Sequence, residues 1–517
     1  MAEMSTFDKP VTKSVGRTIA KNAVANVARG SAAALVALAV PPFLTRLLPP
    51  EKYGAWALVL QLAAYVSYFE FGIQTAVGRY VARENERGAF EHRNKIVNTA
   101  LALLSAAGLL ALIVIALIVV FLPRFFRGMP AGLYPDVRIA LALVGGSLAV
   151  GLPASVFSGI FVGLQRYEIP AAIVAGSRIV SGLLLVGIAQ RAGNITAMAV
   201  SVAVVNLASY GLQWFMYWRI VPDIPLSPRL VSREVARELV GYCFSLSVWS
   251  FSMLLVSGLD LTLVGVFDFQ KVAFYAVAAN LVIFIAGLQN AIFHAMMPSA
   301  AVLQARGASL ELGRMVIDGT RYGMFLLLLT GLPLLLAAKP ILKVWVGPDY
   351  AVQAALLLKV LVIANVVRLS TVPYIVALVG TGQQRLVVFT PLLEGFTNLC
   401  VSVLAGYYWG AAGVAFGTFC GALVGLGGIV FYNLPRTTEI RFSIRQYLLE
   451  SLLRPILCAL PLVSVILFLN TNGEMRRTGG LLTVMAAGTA TAYGVWRWGL
   501  MGRERQRLRA LAGLPVS

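Results

Sequence analysis

Some fourteen stretches of about twenty mostly apolar residues follow one another through this 517-residue chain, joined by short basic connections. Each is long enough to cross the roughly 30 Å hydrocarbon layer of a bilayer as a helix. Hydrocarbon offers the backbone no hydrogen-bond partners, so a bundle of helices is the physical default. The composition agrees, with 59% hydrophobic and only 12% charged residues, far from the balance of a soluble domain. The fold class read from this pattern is an all-α polytopic membrane protein. Its longest polar interruptions, near 81–95, 221–238, 299–320 and 434–447, are too short to hold a folded catalytic domain.

The predicted spans are 28–46, 54–76, 97–122, 139–163, 168–190, 195–218, 240–266, 272–295, 320–343, 352–377, 386–406, 411–432, 448–469 and 480–500. An even number of crossings places both termini on one side. With the N-terminus in the cytosol, 28 of the 42 Lys and Arg residues fall on cytosolic connections and tails, 11 outside and three within spans. That bias orients the chain with both termini cytosolic, although the external loop 123–138 is itself basic. The formal charge of +20 is therefore topological and faces anionic lipid; nucleic acid is not an expected partner. Residues 9–29, with Lys9, Lys13, Arg17, Lys21 and Arg29, read as an interfacial lead-in rather than a cleaved signal. Cys243, Cys400, Cys420 and Cys458 lack metal-ligand spacing and read as buried thiols.

An internal repeat emerges from the spans. Glu51-Lys52-Tyr53-Gly54-Ala55-Trp56-Ala57 opens the second, and Gln270-Lys271-Val272-Ala273-Phe274-Tyr275-Ala276 opens the eighth. Gly163-Leu164-Gln165-Arg166 precedes the fifth and Gly382-Gln383-Gln384-Arg385 the eleventh, each followed by a glycine, Gly176 and Gly395. Six spans separate each pair, so the halves are expected as parallel copies related by an axis along the membrane normal. The expected organisation is a six-helix lobe over 1–220, a cytosolic linker over 221–238 and a second six-helix lobe over 239–435. Two additional helices and a basic tail with Arg503, Arg505, Arg507 and Arg509 fill 436–517.

Arg178 in the fifth span and Lys359 and Arg368 in the tenth are ionised groups placed within hydrocarbon. Such groups face a watery cavity or a partner, so these three are the candidate lining of a basic internal cavity, with snorkelling the alternative for Lys359. Glu394, Asp260 and Glu70 are the buried acidic candidates for ion pairing or for coupling to sodium or protons. The repeat register sets Glu394 opposite Arg178, which makes them a candidate pair. Pro153, Pro333 and Pro373 interrupt spans and mark kinks or close packing. No cofactor is expected, His92 lacks metal partners, and no phosphate-cradling glycine loop is present, so the chain reads as a non-enzymatic carrier.

Several segments stand out together: Leu48-Pro49-Pro50-Glu51-Lys52-Tyr53-Gly54-Ala55-Trp56-Ala57, then Phe69-Glu70-Phe71-Gly72-Ile73-Gln74-Thr75-Ala76-Val77-Gly78-Arg79-Tyr80-Val81-Ala82. Gly159-Ile160-Phe161-Val162-Gly163-Leu164-Gln165-Arg166-Tyr167 and Ser257-Gly258-Leu259-Asp260 complete the set. Their order and spacing resemble the polysaccharide-exporter branch of the multidrug/oligosaccharidyl-lipid/polysaccharide transporter superfamily. The sequence departs from the family's aspartate-before-glycine pattern after the second span, carrying Glu70 one place earlier.

The resemblance implies a V-shaped pair of six-helix lobes with two extra helices, in a bacterial inner membrane. It implies translocation of undecaprenyl-pyrophosphate-linked saccharides for surface or exopolysaccharide synthesis, beside a polysaccharide polymerase and assembly proteins. Arginine suits a pyrophosphate because its fork donates two charge-assisted hydrogen bonds. Tyr210, Trp214, Tyr217 and Trp218 are aromatic candidates for the sugars, or else an interfacial belt. The alternatives are a flippase for the peptidoglycan lipid precursor, which also wants a basic cavity, and a multidrug exporter of the same architecture. A membrane glycosyltransferase lacks the large external loops it would need, and a mere scaffold gives the buried charges no use.

Overall fold

The computed structural model describes residues 35–191, 193–383, 386, 388–471 and 478–499. The lead-in at 9–29, Gln384, Arg385 and the basic tail beyond 500 lie outside the described residues. The first half comprises α1 (Leu35–Leu47), α2 (Pro50–Ala64), α3 (Ile73–Glu86) and α4 (Phe90–Phe125). It continues with α5 (Tyr134–Gly151), α6 (Ser155–Gly163), α7 (Glu168–Arg191) and α8 (Ile195–Ile220). The second half runs through α9 (Arg233–Met253), α10 (Asp260–Phe267), α11 (Val272–Phe293), α12 (Met296–Ala305) and α13 (Ser309–Leu336). It continues with α14 (Ala338–Trp345), α15 (Pro348–Leu369), α16 (Val372–Gly380) and α17 (Phe389–Gly428). α18 (Arg454–Thr471) and α19 (Thr478–Gly494) follow.

Among the described residues ten helical segments are long and apolar enough to cross a membrane, and eleven when the bent pair α9–α10 is taken as one. The expected fourteen differ from this count for three physical reasons. α1 begins at the edge of the described residues, and α19 has only 17 residues. The spans expected at 386–406 and 411–432 join in α17, whose backbone leaves helical geometry at Gly410 (φ 58°, ψ −134°). Beyond Gly410 the chain folds back on itself. Gly413, Gly417 and Gly421 meet Ala405, Ser402 and Asn398, and none has room for a Cβ. Small residues at four-residue spacing let two helix backbones approach this closely.

Several spans are broken rather than straight. Pro153 lies in the gap between α5 and α6, and Pro373 opens α16 just after the break at Ser370 and Thr371. Pro333 instead sits in the last turn of α13 and produces no break within it. Phe71 and Gly72, both left-handed, separate α2 from α3. Glu70 receives the backbone N–H of Gln74 at 3.2 Å and so caps α3.

Packing of the halves is asymmetric from one end to the other. At the end carrying residues 47–50, 126–130 and 268–271, one apolar core runs through both halves, from Leu44, Tyr53 and Trp56 to Val272, Leu342 and Tyr350. Arg46 and Thr45 donate to the carbonyls of Val344 and Val346 across this joint, and Trp345 donates to that of Leu38. At the opposite end the core divides. One cluster is built on α3, α4, α6 and the start of α9, the other on α12, α13, α16 and the region around Tyr447.

The segment 221–238, expected as a linker, is laced onto the first half. Arg93, its side chain 2% exposed, pairs with Asp223 at 2.8 Å, while Asn98 bonds Pro225 O and Ser227 N. Tyr217, expected as an aromatic for sugars, donates instead to the carbonyl of Ile224. The start of α9, through Val235, Leu239 and Cys243, therefore packs with the first half.

Candidate functional site

Between the halves lies a chamber of about 1080 Å³. Its second-half wall is organised around the bend in the seventh expected span. After α9 the helix widens into a π turn, Leu254–Gly258, and α10 leaves at an angle of 41°. Opening a helix in hydrocarbon frees carbonyls that need new donors. Asn398 Nδ2 and Arg368 Nη2 donate to Val256 O at 2.9 and 3.2 Å. Gln61 Nε2 and Tyr65 Oη, from the first half, reach Gly258 O at 2.6 and 2.8 Å. Side chains from α2, α15 and α17 thus hold the bend open.

The same side chains assemble the charged cluster of the chamber. Arg368 Nε stands 2.6 Å from Glu394 Oε1, with both side chains largely buried. Asp260, buried at the start of α10, accepts from Asn398 Nδ2 and from Thr418 Oγ1, each at 3.0 Å. Gly425, on the returning arm of α17, has no room for a Cβ because the Glu394 carboxylate occupies that space. Arg368 is thereby committed to a protein carboxylate, and the cluster carries one cation against two carboxylates.

The first-half wall has a different character. On α7, Val174, Ser177, Arg178, Ser181, Gly182 and Leu185 line the chamber at helical spacing. Arg178 is exposed there, with no ion pair or hydrogen-bond partner among the described residues. On α8, Asn206, Ser209, Tyr210 and Gln213 form a parallel polar stripe.

Placement of the sequence candidates is therefore mixed. Arg178, Arg368, Asp260 and Glu394 all line the chamber. Lys359 does not; it lies on the exposed side of α15 with Val352 and Leu356, away from the face bearing Leu361, Asn365 and Arg368. Glu70 is a helix cap outside the lining. Glu394 takes Arg368 as its partner, not the expected Arg178. Gly395 is pressed against Leu255 whereas nothing lies within 4 Å of a Cβ at Gly176, so these two glycines occupy unlike surroundings. Of the aromatic candidates only Tyr210 faces the chamber; Trp214 and Trp218 are exposed on its outside.

The chamber lining brings Arg178 and Arg368 together with Asp260, Glu394 and His294, and Arg178, on the first half, has no ion-pair partner among the described residues. The sequence reading missed Asn398 and Gln61, which serve carbonyls freed far away in the chain, and Thr418, which donates to the distant Asp260 carboxylate. Asn398 and Ser402 on one arm, with Gly413, Gly417, Gly421 and Gly425 on the other, were the available signal.

A helical bundle with a central chamber between two halves, joined at one end and divided at the other, is the architecture of a membrane carrier. Among solved structures the fold is similar to "Lipid II flippase MurJ, inward closed conformation" (TM-score 0.65, 11% identity, 93% of this chain and 97% of that one). It is also similar to an inward-facing multidrug resistance MATE family transporter (TM-score 0.62, 13% identity, 76% of this chain and 95% of that one).

The chain belongs to the family described as Polysaccharide biosynthesis protein, which matches residues 19–304, more than half of its length. Among curated relatives, "Uncharacterized membrane protein EpsK" of Bacillus subtilis is 24% identical over 70% of this chain and 72% of its own. "Putative O-antigen transporter" of Shigella flexneri is 23% identical over 67% of this chain and 81% of its own.

Proposed function

We propose that this transporter moves a polyprenyl-pyrophosphate-linked saccharide across the bacterial inner membrane by alternating access. The observation that carries this reading is Arg178, an exposed guanidinium in the chamber with no acidic partner among the described residues. A cation held at mid-span without a carboxylate is matched to an anion that arrives from elsewhere. A pyrophosphate supplies that charge, and the guanidinium fork meets it with two charge-assisted bonds. The lipid tail stays in the bilayer while the polar head enters between the halves.

In this reading fourteen spans form two related six-helix lobes and an added pair, with both termini cytosolic. Several contacts support a two-fold relation. Gly54 and Ala273, matching positions of the repeat, touch one another at the sealed end. Gly163 packs on Gly78 O, and Gly380 packs on Met297 O. The split end bears Arg79, Arg83, Arg87, Arg233 and Arg237, which supports assigning it to the cytosol. The state described is then inward-facing.

Coupling to sodium or protons falls to Asp260, the carboxylate in the lining that forms no ion pair among the described residues. The peptidoglycan precursor is the second reading, favoured by the fold similarity over 93% of the chain. It shares the lipid pyrophosphate and differs in its sugars. The test is leaflet-resolved transport of defined polyprenyl-pyrophosphate saccharides in proteoliposomes, with and without sodium and proton gradients. Movement of these lipids that Arg178→Gln abolishes is the expected result. Equal movement by the variant overturns the assignment of Arg178.

A further inference from the structure

The proposed function leaves the α8 wall of the chamber unused, and that wall is built more carefully than a passive surface requires. Asn206, Tyr210 and Gln213 lie at i, i+4 and i+7 on one helix face, all in the lining. None is charged, and each is fixed from behind by the α5–α6 layer. Asn206 Nδ2 donates to Ser147 Oγ at 3.0 Å, and Ser147 Oγ donates onward to Val144 O at 2.8 Å. Ser158 Oγ donates to Gln213 Oε1 at 2.6 Å within the buried layer.

The consequence is a fixed polarity. Asn206 commits one N–H of its amide to Ser147, which fixes the amide's orientation and leaves its oxygen without a protein donor among the described residues. Gln213 has spent its oxygen and keeps its NH₂ for the chamber, although its side chain is otherwise buried. The tip of the Tyr210 ring lies against Gly151, where no Cβ fits, so its ring is held in place between the two amides. A rigid acceptor, an aromatic ring and a rigid donor thus succeed one another over about 10 Å of helix, at 1.5 Å per residue. Side chains oriented by buried partners in this way discriminate between ligands better than free ones.

We infer that the α8 face is the saccharide-selecting wall of the chamber, with Asn206 and Gln213 reading sugar hydroxyl or amide groups and Tyr210 supplying the apolar contact. The inference rests on the proposed transport of lipid-linked saccharides and names the part of the site that sets sugar preference. Its chemistry is that of a neutral, multiply hydroxylated ligand, because the wall offers hydrogen bonds without charge. The placement suits one molecule that carries both groups. α7 ends at Arg191 and α8 begins at Ile195, and Arg178 and Tyr210 are nearly equidistant from those two ends, which sets them at about the same depth on neighbouring helices. A pyrophosphate at Arg178 therefore leaves the first sugars against Asn206, Tyr210 and Gln213. A site built to hydrogen-bond a hydroxyl rejects analogues that leave its own groups unpaired, whereas an apolar wall discriminates weakly.

The experiment compares several saccharides on one common polyprenyl pyrophosphate, together with the sugar-free lipid pyrophosphate, in proteoliposomes. The proteins are the wild type, Asn206→Leu, Gln213→Leu and Ser158→Ala. The expected result is a change of about tenfold or more in the ratio between saccharides, with the sugar-free lipid handled as by the wild type. Ser158→Ala should shift the same ratio in a smaller measure, because it frees Gln213 without removing it. Gln213→Glu, equal in size and still able to accept from Ser158, replaces Gln213→Leu if that variant does not fold. Uniform loss on every substrate, the sugar-free lipid included, overturns the selecting role while leaving transport of lipid pyrophosphates standing. A wild type that moves none of these lipids overturns the proposed function, and the selecting wall with it.

Discussion

Arg368 and Glu394 meet at 2.6 Å between Nε and Oε1, joining α15 to α17 across the second half. The pair also reaches the bend of the seventh span, through Arg368 Nη2 and Val256 O. One guanidinium thus satisfies a carboxylate and a carbonyl released by the break in the helix. Moving Arg368 strands the Glu394 carboxylate and leaves Val256 O to Asn398 alone.

Removal of one partner from this pair should therefore cost more than removal of both. Breaking a buried ion pair leaves an uncompensated charge, at about 3–5 kcal/mol when enclosure is complete. Arg368→Gln and Glu394→Gln border a chamber, so each is expected to lose about 1–3 kcal/mol, with the double variant recovering part of the loss. Thermal unfolding of the purified proteins in one detergent, analysed as a double-mutant cycle, gives the coupling. Strictly additive losses would show that the two groups act independently.

Arg178 should behave in the opposite manner. It is exposed and has no protein partner among the described residues, so Arg178→Gln should change stability by less than about 0.5 kcal/mol. Transport should nonetheless fall strongly, and Arg178→Lys should restore only part of it, since a point charge cannot reproduce the fork. Lys359→Gln, on the exposed face of α15, should leave transport at the wild-type level. Abundance and transport measured on the same vesicles separate the two effects. An equal loss for Lys359→Gln and Arg178→Gln would point to a general charge effect.

Much of this fold was legible because a hydrocarbon solvent leaves few choices for twenty apolar residues in a row. Pro153 and Pro373 gave two of the breaks, since a missing N–H and a clashing ring weaken a helix wherever it lies. The break at Leu254–Gly258 was not legible, because Leu-Leu-Val-Ser-Gly reads as uninterrupted helix. It is held open by Gln61, Arg368 and Asn398, each more than a hundred residues away.

The repeat sets Gly163 level with Gly382. In the structure the left-handed residues that end α6 and α16 are Gln165 (φ 61°) and Gly382 (φ 73°), two residues out of that register. A glutamine taking the conformation usually given to glycine leaves no trace in a glycine pattern. The partner of Glu394 was misread for the same reason, since the repeat had set it against Arg178 and packing set it against Arg368.

Close approach of the two arms of α17 is the next testable feature. Gly425→Ala places a methyl group where the Glu394 carboxylate lies, and Gly417→Ala places one against the backbone of Ser402. Overpacking of this kind costs about 1–3 kcal/mol. Both variants should unfold at lower temperature than the wild type. Only Gly425→Ala should also abolish the coupling between Arg368 and Glu394, because it displaces the carboxylate itself. Identical coupling energies in the two backgrounds would detach Gly425 from the ion pair.

The sealed end supplies the last prediction. Thr45 and Arg46 donate to the carbonyls of Val346 and Val344, and Gly128 packs on Phe269, so the halves are joined there by direct contacts. At the other end each half keeps its own core. A chamber that serves both sides of a membrane must break the first set of contacts and bring the second pair of surfaces together. Cysteines at Thr45 and Val346, in a background lacking the four native cysteines, should react with a short bifunctional thiol reagent. The cross-linked protein should hold lipid-linked saccharide without releasing it on the far side, and a cleavable reagent should return transport on reduction. The hydrogen bonds among these contacts are worth about 1 kcal/mol each and are weak enough to exchange within a transport cycle. Full transport by the cross-linked protein would mean that this end never opens, and alternating access about the chamber would then be wrong.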